Sequence, residues 1–133
     1  MSEANVELAR RAFDLWLRGD FDAIQDLCAP DVVIVQPPEI PDAKSYEGPE
    51  AMSAALADWP QEWCDFKVEL IEVIDVSDDI VISGTRHTGR GQKSGIEMDF
   101  LVYYVSRWRD RKLARWEHYL TRERALDAAG LKG

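Results

Sequence analysis

The segment IEMDFLVYYVSRWRDRKLARWEHYL, residues 96–120, decides the fold of this 133-residue chain. Aromatic and β-branched side chains are frequent in it, and apolar and polar residues alternate through parts of it, which is typical of β-strands. The polar group Arg109-Asp110-Arg111 interrupts this pattern once, as a short hairpin connection does. The segment therefore predicts two antiparallel strands, Ile96–Trp108 and Lys112–Leu120.

Three more strands are predicted from patterns of the same kind. Phe66–Asp75 and Ile80–Thr88 precede the hairpin and are separated by a polar turn. Val32–Gln36 lies earlier in the chain and is a β-branched run closed by two prolines. The last four strands follow one another closely, so they predict an antiparallel meander, which must twist and bend because its strands are long.

Helices are predicted on both sides of these strands. The segment Asn5–Arg18 carries apolar residues at helical spacing and stops at a glycine. The other predicted helices are Phe21–Cys28, Pro49–Trp59 and Arg122–Ala129, and Pro38–Gly48 is predicted as a loop. This order indicates an α+β fold, with helices packed on one face of an antiparallel sheet. A strongly bent sheet closed by helices encloses a concave pocket, which suits a small molecule.

The composition of the chain excludes several classes of function. The net charge of −9 argues against a nucleic-acid partner, because phosphate binding needs a basic surface, and against docking on an anionic membrane. The two cysteines, Cys28 and Cys64, are too isolated for a disulfide framework or a structural zinc site. We therefore expect a single cytoplasmic domain over residues 1–133, with neither a metal nor a cofactor.

Four stretches resemble the SnoaL-like family of the nuclear transport factor 2-like superfamily, which includes ketosteroid isomerase. They are GDFDAIQDLCAPDVVIVQP at 19–37, YEGPEAM at 46–52, GTRHTGRG at 84–91 and RKLARWEHYLTRERALDAAGL at 111–131. The resemblance implies a cone, in which a curved sheet wraps a long helix, and dimers that form through the outer face of the sheet. It does not fix an activity, since the same cone hosts isomerases, hydrolases, cyclases, dehydratases and non-enzymes.

Two of the reactions known in this superfamily lack their acidic residue here. Ketosteroid isomerase needs a carboxylate base, a Tyr and a protonated Asp, and the resemblance places Gln36, Ala12 and Tyr104 at or near these positions. An amide cannot abstract a proton, so this reaction is not expected. The polyketide cyclase pattern aligns at His87, but Thr121 stands at the position of its acid. The cyclase reaction is therefore in doubt as well.

The pattern of limonene epoxide hydrolase directs attention to the two histidines of the chain. It aligns at Trp116, while His118 and Thr88 replace its two Asp residues and Arg86 takes its Arg position. His118 and His87 are the candidate acid–base residues, because imidazole titrates near neutral pH. The alternative is that both are hydrogen-bonded structural or surface groups. Strand alternation puts His87 and Arg86 on opposite faces, so without a bulge only one of them faces the pocket.

The other candidate site residues are aromatic or polar side chains expected around the pocket. The helical stripe and strand alternation predict that the pocket floor consists of Phe13, Trp16, Val32, Ile34, Gln36, Trp116 and His118. Trp59 and Trp63 are expected either at the pocket mouth or as a cover for the core. Gln36 and Tyr46 are expected near the pocket rim, where either one of them orients a ligand or both belong to a capped loop. Arg86 and Tyr104 are expected on the pocket wall. Glu97 and Asp99 are expected on the solvated or dimer-facing side, and the alternative is that one of them is a cavity acid. Arg115 and Glu117 are expected to form an exposed cross-strand charge set.

These residues predict a protein that binds a small apolar or aromatic molecule in the cone. Acid–base chemistry of the cyclase, isomerase or epoxide hydrolase type is a possible further step, and a non-enzymatic dimeric module that binds a ligand or a protein is the alternative. Leu101, Tyr103 and Val105 form a second apolar face on the strand Ile96–Trp108. Since only one face of the sheet can meet the helices, we predict a homodimer through the other.

Overall fold

The computed structural model describes residues 2–36, 45–61 and 63–131, which form helices around one curved mixed sheet. The helices are α1 (Ser2–Arg18), α2 (Phe21–Leu27), α3 (Pro49–Gln61) and α4 (Arg122–Ala128). The strands are β1 (Cys28–Val35), β2 (Ser45–Glu47), β3 (Trp63–Asp75), β4 (Ile80–Gly91), β5 (Glu97–Arg109) and β6 (Lys112–Tyr119). The α+β fold class predicted from the sequence is confirmed.

The strands lie in the order β2-β1-β6-β5-β4-β3. Strands β3 to β6 form the predicted antiparallel meander. Strand β1 runs parallel to β6, with Ile34 opposite Trp116, so the sheet is mixed and not wholly antiparallel as expected. The short strand β2 lies in the predicted loop Pro38–Gly48, of which residues 38–44 are outside the described part of the chain. Three residues are too few to show an alternation in the sequence.

The predicted capping residues hold the ends of two helices. The Asp20 side chain accepts a hydrogen bond from the Ala23 amide, and the Thr121 hydroxyl accepts one from the Arg124 amide. Gly19 has φ +73°, the left-handed conformation that lets the chain turn from α1 into α2. Within the ranges described, no helix is both long enough and apolar enough to cross a membrane.

The inner face of the sheet forms the main core with helix α1. The apolar stripe of α1 brings Phe13 and Trp16 against the strands, as its spacing predicts. On the strand side, Val32 and Ile34 are among the most deeply buried contacts, at 0% and 1% exposed. Both residues were predicted on the pocket floor, and both belong to this core.

The outer face of the sheet is partly covered by α4. Ala125 and Leu126 of this helix pack with Ile82, Tyr103 and Val105 in a second apolar cluster. Arg122, at the first residue of α4, makes two hydrogen bonds to Glu72 on β3. Helix α4 therefore covers much of the outer apolar face, which weakens the reason given for predicting a homodimer.

Candidate functional site

The inner face carries a continuous group of rings, which we call the aromatic cluster. Its members are Phe13, Trp16, Phe66, His87, Phe100, Tyr104, Trp116 and His118. Tyr104 is central, because its ring centroid lies 5.4 Å from that of Phe13 and 4.7 Å from that of Trp116. Strands β4, β5 and β6 and helix α1 thus bring both candidate histidines into one apolar environment.

His87 lies deep in this cluster and is hydrogen-bonded. Its Nε2 lies 3.1 Å from the Thr85 hydroxyl and 3.1 Å from the Tyr104 hydroxyl. Thr85 in turn donates to the Val102 carbonyl at 2.8 Å. The imidazole ring stacks on Phe100, with a centroid distance of 5.4 Å and an interplanar angle of 9°. Burial lowers the pKa of His87 to about 4, so its imidazole is neutral at pH 7.

His118 is the least satisfied polar group of the cluster. Its ring stands edge-on to Tyr104 and to Trp116, with centroid distances of 4.7 Å in both pairs. The residue is half-buried, but its Nε2 is fully buried and has no hydrogen-bond partner among the described residues. Burial, and after it the nearby His87, lowers the pKa of His118 to about 3. The expectation that His118 titrates near neutral pH is therefore wrong.

A small cavity lies beside the aromatic cluster. It is lined by Ala9, Ala12, Phe13, Trp16, Ile24, Met52, Ser83, Ser106, Trp108, Leu113 and Trp116. The centre of a water molecule can move through about 20 Å³ of it. Phe13, Trp16 and Trp116 belong to both the cavity wall and the cluster, whereas neither histidine lines the cavity.

Most of the predicted pocket residues face inward, but Arg86 does not. Trp116 and Tyr104 are buried on the inner face, and Gln36, Tyr46 and Trp63 are half-buried. Arg86 is exposed on the outer face, where it makes two hydrogen bonds to Asp99, 2.8 and 2.5 Å long. The prediction that Arg86 contacts the ligand is wrong, because alternation along β4 turns inward the neighbouring His87 instead.

The prediction for Trp59 lies outside the described side chains. The backbone at this position belongs to α3, which continues to Gln61 and so passes the proline expected to end it. Pro60 is therefore tolerated in the last turn of this helix.

Glu117 is not the exposed charge that its pattern suggested. The residue is only 5% exposed, although it lies on the outer face of β6. Its carboxylate accepts hydrogen bonds from Arg115, from Tyr119 at 2.8 Å and from Arg107 at 3.3 Å. Burial alone would raise the pKa of Glu117, but the hydrogen bonds from Arg115 and Tyr119 and the charge of Arg107 outweigh it and lower the pKa. Glu117 is thus a structural anion.

Sequence reasoning missed the two serines of the cavity wall. Ser83 is 1% exposed and shares the inner face of β4 with Thr85 and His87. Ser106 is buried on β5, where it donates to the Val81 carbonyl and accepts from Trp108 Nε1, both at 3.0 Å. The same alternation that turns His87 inward would have identified Ser83, two positions before Thr85.

Comparison with known proteins agrees with this architecture. The profile of the SnoaL-like domain family matches residues 9–116. No curated protein matches the chain significantly. Among the described residues, His, Cys, Asp and Glu side chains form no group of three that could hold a metal ion.

Solved structures with this fold share little sequence with the chain. Bal32a, from a soil-derived mobile gene cassette, is 24% identical with a TM-score of 0.78, and the alignment covers 96% of both chains. An NTF2-like protein from Burkholderia thailandensis E264 is 20% identical with a TM-score of 0.78, over 94% of both chains. A protein of ketosteroid isomerase-like fold from Catenulispora acidiphila DSM 44928, in complex with trimethylamine, is 17% identical with a TM-score of 0.73, over 94% of this chain and 93% of that one. The chain belongs to the SnoaL-like domain family, and it shares the fold of the NTF2-like protein from Burkholderia thailandensis.

Proposed function

We propose that this protein binds a small, mostly apolar molecule on the inner side of its sheet, and that His118 acts on it as a neutral base. The observation that carries the proposal is the buried Nε2 of His118, which has no partner among the described residues. A buried polar atom without a hydrogen bond costs about 1–3 kcal/mol. A ligand that offers a hydrogen-bond donor to Nε2 would recover that energy.

The surroundings of His118 set the kind of chemistry it can perform. With a pKa of about 3, the imidazole is neutral at pH 7 and is a weak base. The aromatic walls formed by Tyr104 and Trp116 suit a flat or apolar ligand. His87 is already bonded to Thr85 and Tyr104, so it supports the site and does not compete for the same proton.

The test is turnover of uncharged aromatic, terpenoid and polyketide compounds, followed by mass spectrometry. General acid–base catalysis raises the rate of a reaction roughly 10²–10⁴-fold, and the effect of a weak base lies at the lower end of that range. His118→Ala is expected to lower turnover by roughly 100-fold while the circular dichroism spectrum stays unchanged. His87→Ala serves as the comparison and is expected to affect stability more than turnover. Unchanged turnover in His118→Ala would remove His118 from the mechanism.

A non-enzymatic binding module is the second candidate, and the position of the cavity favours it. Neither histidine lines the cavity, so a ligand can occupy it without meeting a titratable group. The relative that holds trimethylamine supports a ligand of few atoms. Binding of the same compounds without any turnover, in the wild-type protein and in His118→Ala alike, would favour this candidate.

We also propose that the protein forms a homodimer through the part of the outer face that α4 leaves open. Tyr103 and Val105 are covered by α4, but Leu101 and Ile71 are 42% and 44% exposed. Exposed apolar side chains on a sheet are stabilised by a partner surface. The dimers implied by the family resemblance use the same face.

A further inference from the structure

The cavity behind Trp116 has an uneven distribution of polar groups. The Ser106 hydroxyl is satisfied, since it donates a hydrogen bond to the Val81 carbonyl and accepts one from Trp108 Nε1. Ser83 also lines the cavity and is 1% exposed, yet its hydroxyl makes no hydrogen bond within the described part of the chain. The cavity therefore offers one unused hydroxyl in an otherwise apolar wall.

The space itself follows from small side chains that meet across the core. Helix α1 contributes Ala9 and Ala12, and strands β4 and β5 contribute Ser83 and Ser106. Protein cores are normally packed with few voids larger than a water molecule. A void of this size beside a buried hydroxyl is the arrangement expected of a site that a ligand or a water fills.

The wall also selects by charge. Each lining residue is uncharged, from Ala9 on α1 to Trp116 on β6. A charged group placed here would lose its hydration without gaining an opposite charge, which proteins avoid. An uncharged ligand would lose little on entering and would gain contacts with Phe13, Met52 and Trp108.

We propose that this cavity binds the short apolar end of an uncharged molecule that carries one hydroxyl or carbonyl oxygen, and that Ser83 is the hydrogen-bonding partner of that oxygen. The inference rests on the proposed function for the ligand's entry into the cone. It adds a second contact point, separated from His118 by the ring of Trp116.

The experiment uses three probes of nearly the same shape: 2-propanol, isobutane and isopropylammonium. Binding is followed by NMR through the Met52 methyl group, which lies in the cavity wall and is 2% exposed. We expect saturable shifts and intermolecular Overhauser effects from 2-propanol at this methyl, and no binding of isopropylammonium. The hydrogen bond to Ser83 is expected to make 2-propanol bind roughly three- to tenfold tighter to the wild type than to Ser83→Ala. Isobutane, which cannot make this bond, is expected to bind both proteins equally.

Two variants and one control make the result specific. Ser83→Ala is expected to weaken the binding of 2-propanol and to leave that of isobutane unchanged. Ala12→Leu, which fills the cavity, is expected to abolish the binding of both. Ser53→Ala is the matched control, because Ser53 is a buried serine outside the cavity wall. If Ala12→Leu does not fold, Ala9→Val replaces it as the filling variant.

Three results would overturn the inference. The first is the absence of saturable binding at Met52, which leaves the cavity to water alone. The second is binding that survives the filling variant. The third is a Ser83→Ala protein that binds 2-propanol as tightly as the wild type. His118→Ala separates this inference from the proposed function, since His118 does not line the cavity and its loss leaves 2-propanol binding intact. Failure of the His118 chemistry with intact binding at Met52 contradicts only the proposed function.

Discussion

The indole of Trp116 stacks on the phenol ring of Tyr104, with ring centroids 4.7 Å apart and planes inclined by 21°. The same indole lines the cavity and packs edge-on against His118. One side chain thus separates the space that a ligand can occupy from the imidazole that could act on it. Chemistry at His118 requires this ring to move or the ligand to reach past it, whereas binding in the cavity does not.

Trp116→Ala is expected to join the cavity to the surroundings of His118. Water then reaches Nε2, so the pKa of His118 should rise from about 3 toward its ordinary value of 6.5. The loss of a buried indole should also lower the free energy of unfolding by about 3–5 kcal/mol. An NMR titration of His118 and urea unfolding measure the two effects, and Leu101→Ala on the exposed outer face is the control. A pKa that stays near 3 would show that Trp116 is not the barrier.

Replacing each histidine by phenylalanine should change stability in opposite directions. His118→Phe removes a buried nitrogen that has no partner among the described residues, so unfolding should become harder by ~1 kcal/mol. His87→Phe removes the contacts with Thr85 and Tyr104, so unfolding should become easier by ~1–3 kcal/mol. Chemical denaturation of both variants at pH 7.5 checks the pair. A destabilised His118→Phe protein would mean that Nε2 is satisfied after all.

Acid should destabilise the protein before its carboxylates titrate. The pKa values of His87 and His118 are about 4 and about 3 in the folded protein, against 6.5 in the unfolded chain. Between these values the unfolded chain binds more protons, so stability is full above pH 6.5 and falls as the pH drops toward 4. Each histidine contributes up to ~1.4 kcal/mol per pH unit in that window.

The acid effect can be assigned to single residues by urea unfolding at a series of pH values from 7.5 to 4.5. His118→Phe should make the slope shallower by up to one proton, and the combined His87→Phe and His118→Phe variant should be nearly flat above pH 5. A wild-type protein whose stability does not change from pH 7.5 to 5 would contradict the lowered pKa values of both imidazoles.

Glu117 and Asp99, which both bond arginine on the outer face, should respond differently to neutralisation. Glu117→Gln weakens charged hydrogen bonds in a buried setting, so unfolding should become easier by ~1–3 kcal/mol. Asp99→Asn breaks the exposed pair with Arg86, so no measurable loss is expected. Thermal unfolding of both variants at low and high salt is the measurement. If both variants lost the same stability, Glu117 would contribute no more than an exposed surface charge.

A charge at Leu101 should break the proposed homodimer. Light scattering at micromolar concentration is expected to give twice the monomer mass for the wild type and the monomer mass for Leu101→Glu. Glu97→Lys, a charge change on the exposed outer part of the same strand, controls for charge alone. A monomeric wild type would end the dimer proposal, and α4 would then be the main cover of this face.

The sequence was a good guide wherever the deciding pattern is local. Alternation along β6 predicted that Trp116 and His118 face the same side, and both belong to the aromatic cluster. The apolar stripe on α1 is also a local pattern, and it predicted the burial of Phe13 and Trp16. The parallel pairing of Ile34 with Trp116 was not predictable, because it joins distant segments and leaves no local signal.

The chemistry of the site depends on such distant contacts and was predicted less well. The pKa of His118 is set by rings from other strands and helices, so its residue type alone suggested a neutral titration. Glu117 is buried because Arg107 on the neighbouring strand and Tyr119 bond to it, although its own pattern suggested exposure. Arg86 was assigned by alignment to another reaction, whereas strand alternation gave the correct face.

The parallel pairing of β1 with β6 also constrains the order in which the protein can fold. Strands β3 to β6 can pair as successive hairpins, but β1 must wait until β6, the last strand of the sheet in chain order, has been made. Contacts between distant segments cost loop-closure entropy and slow folding. During synthesis, the apolar residues of α1 and β1 therefore stay without their final partners until β6 has emerged, and in that interval the chain is most exposed to aggregation.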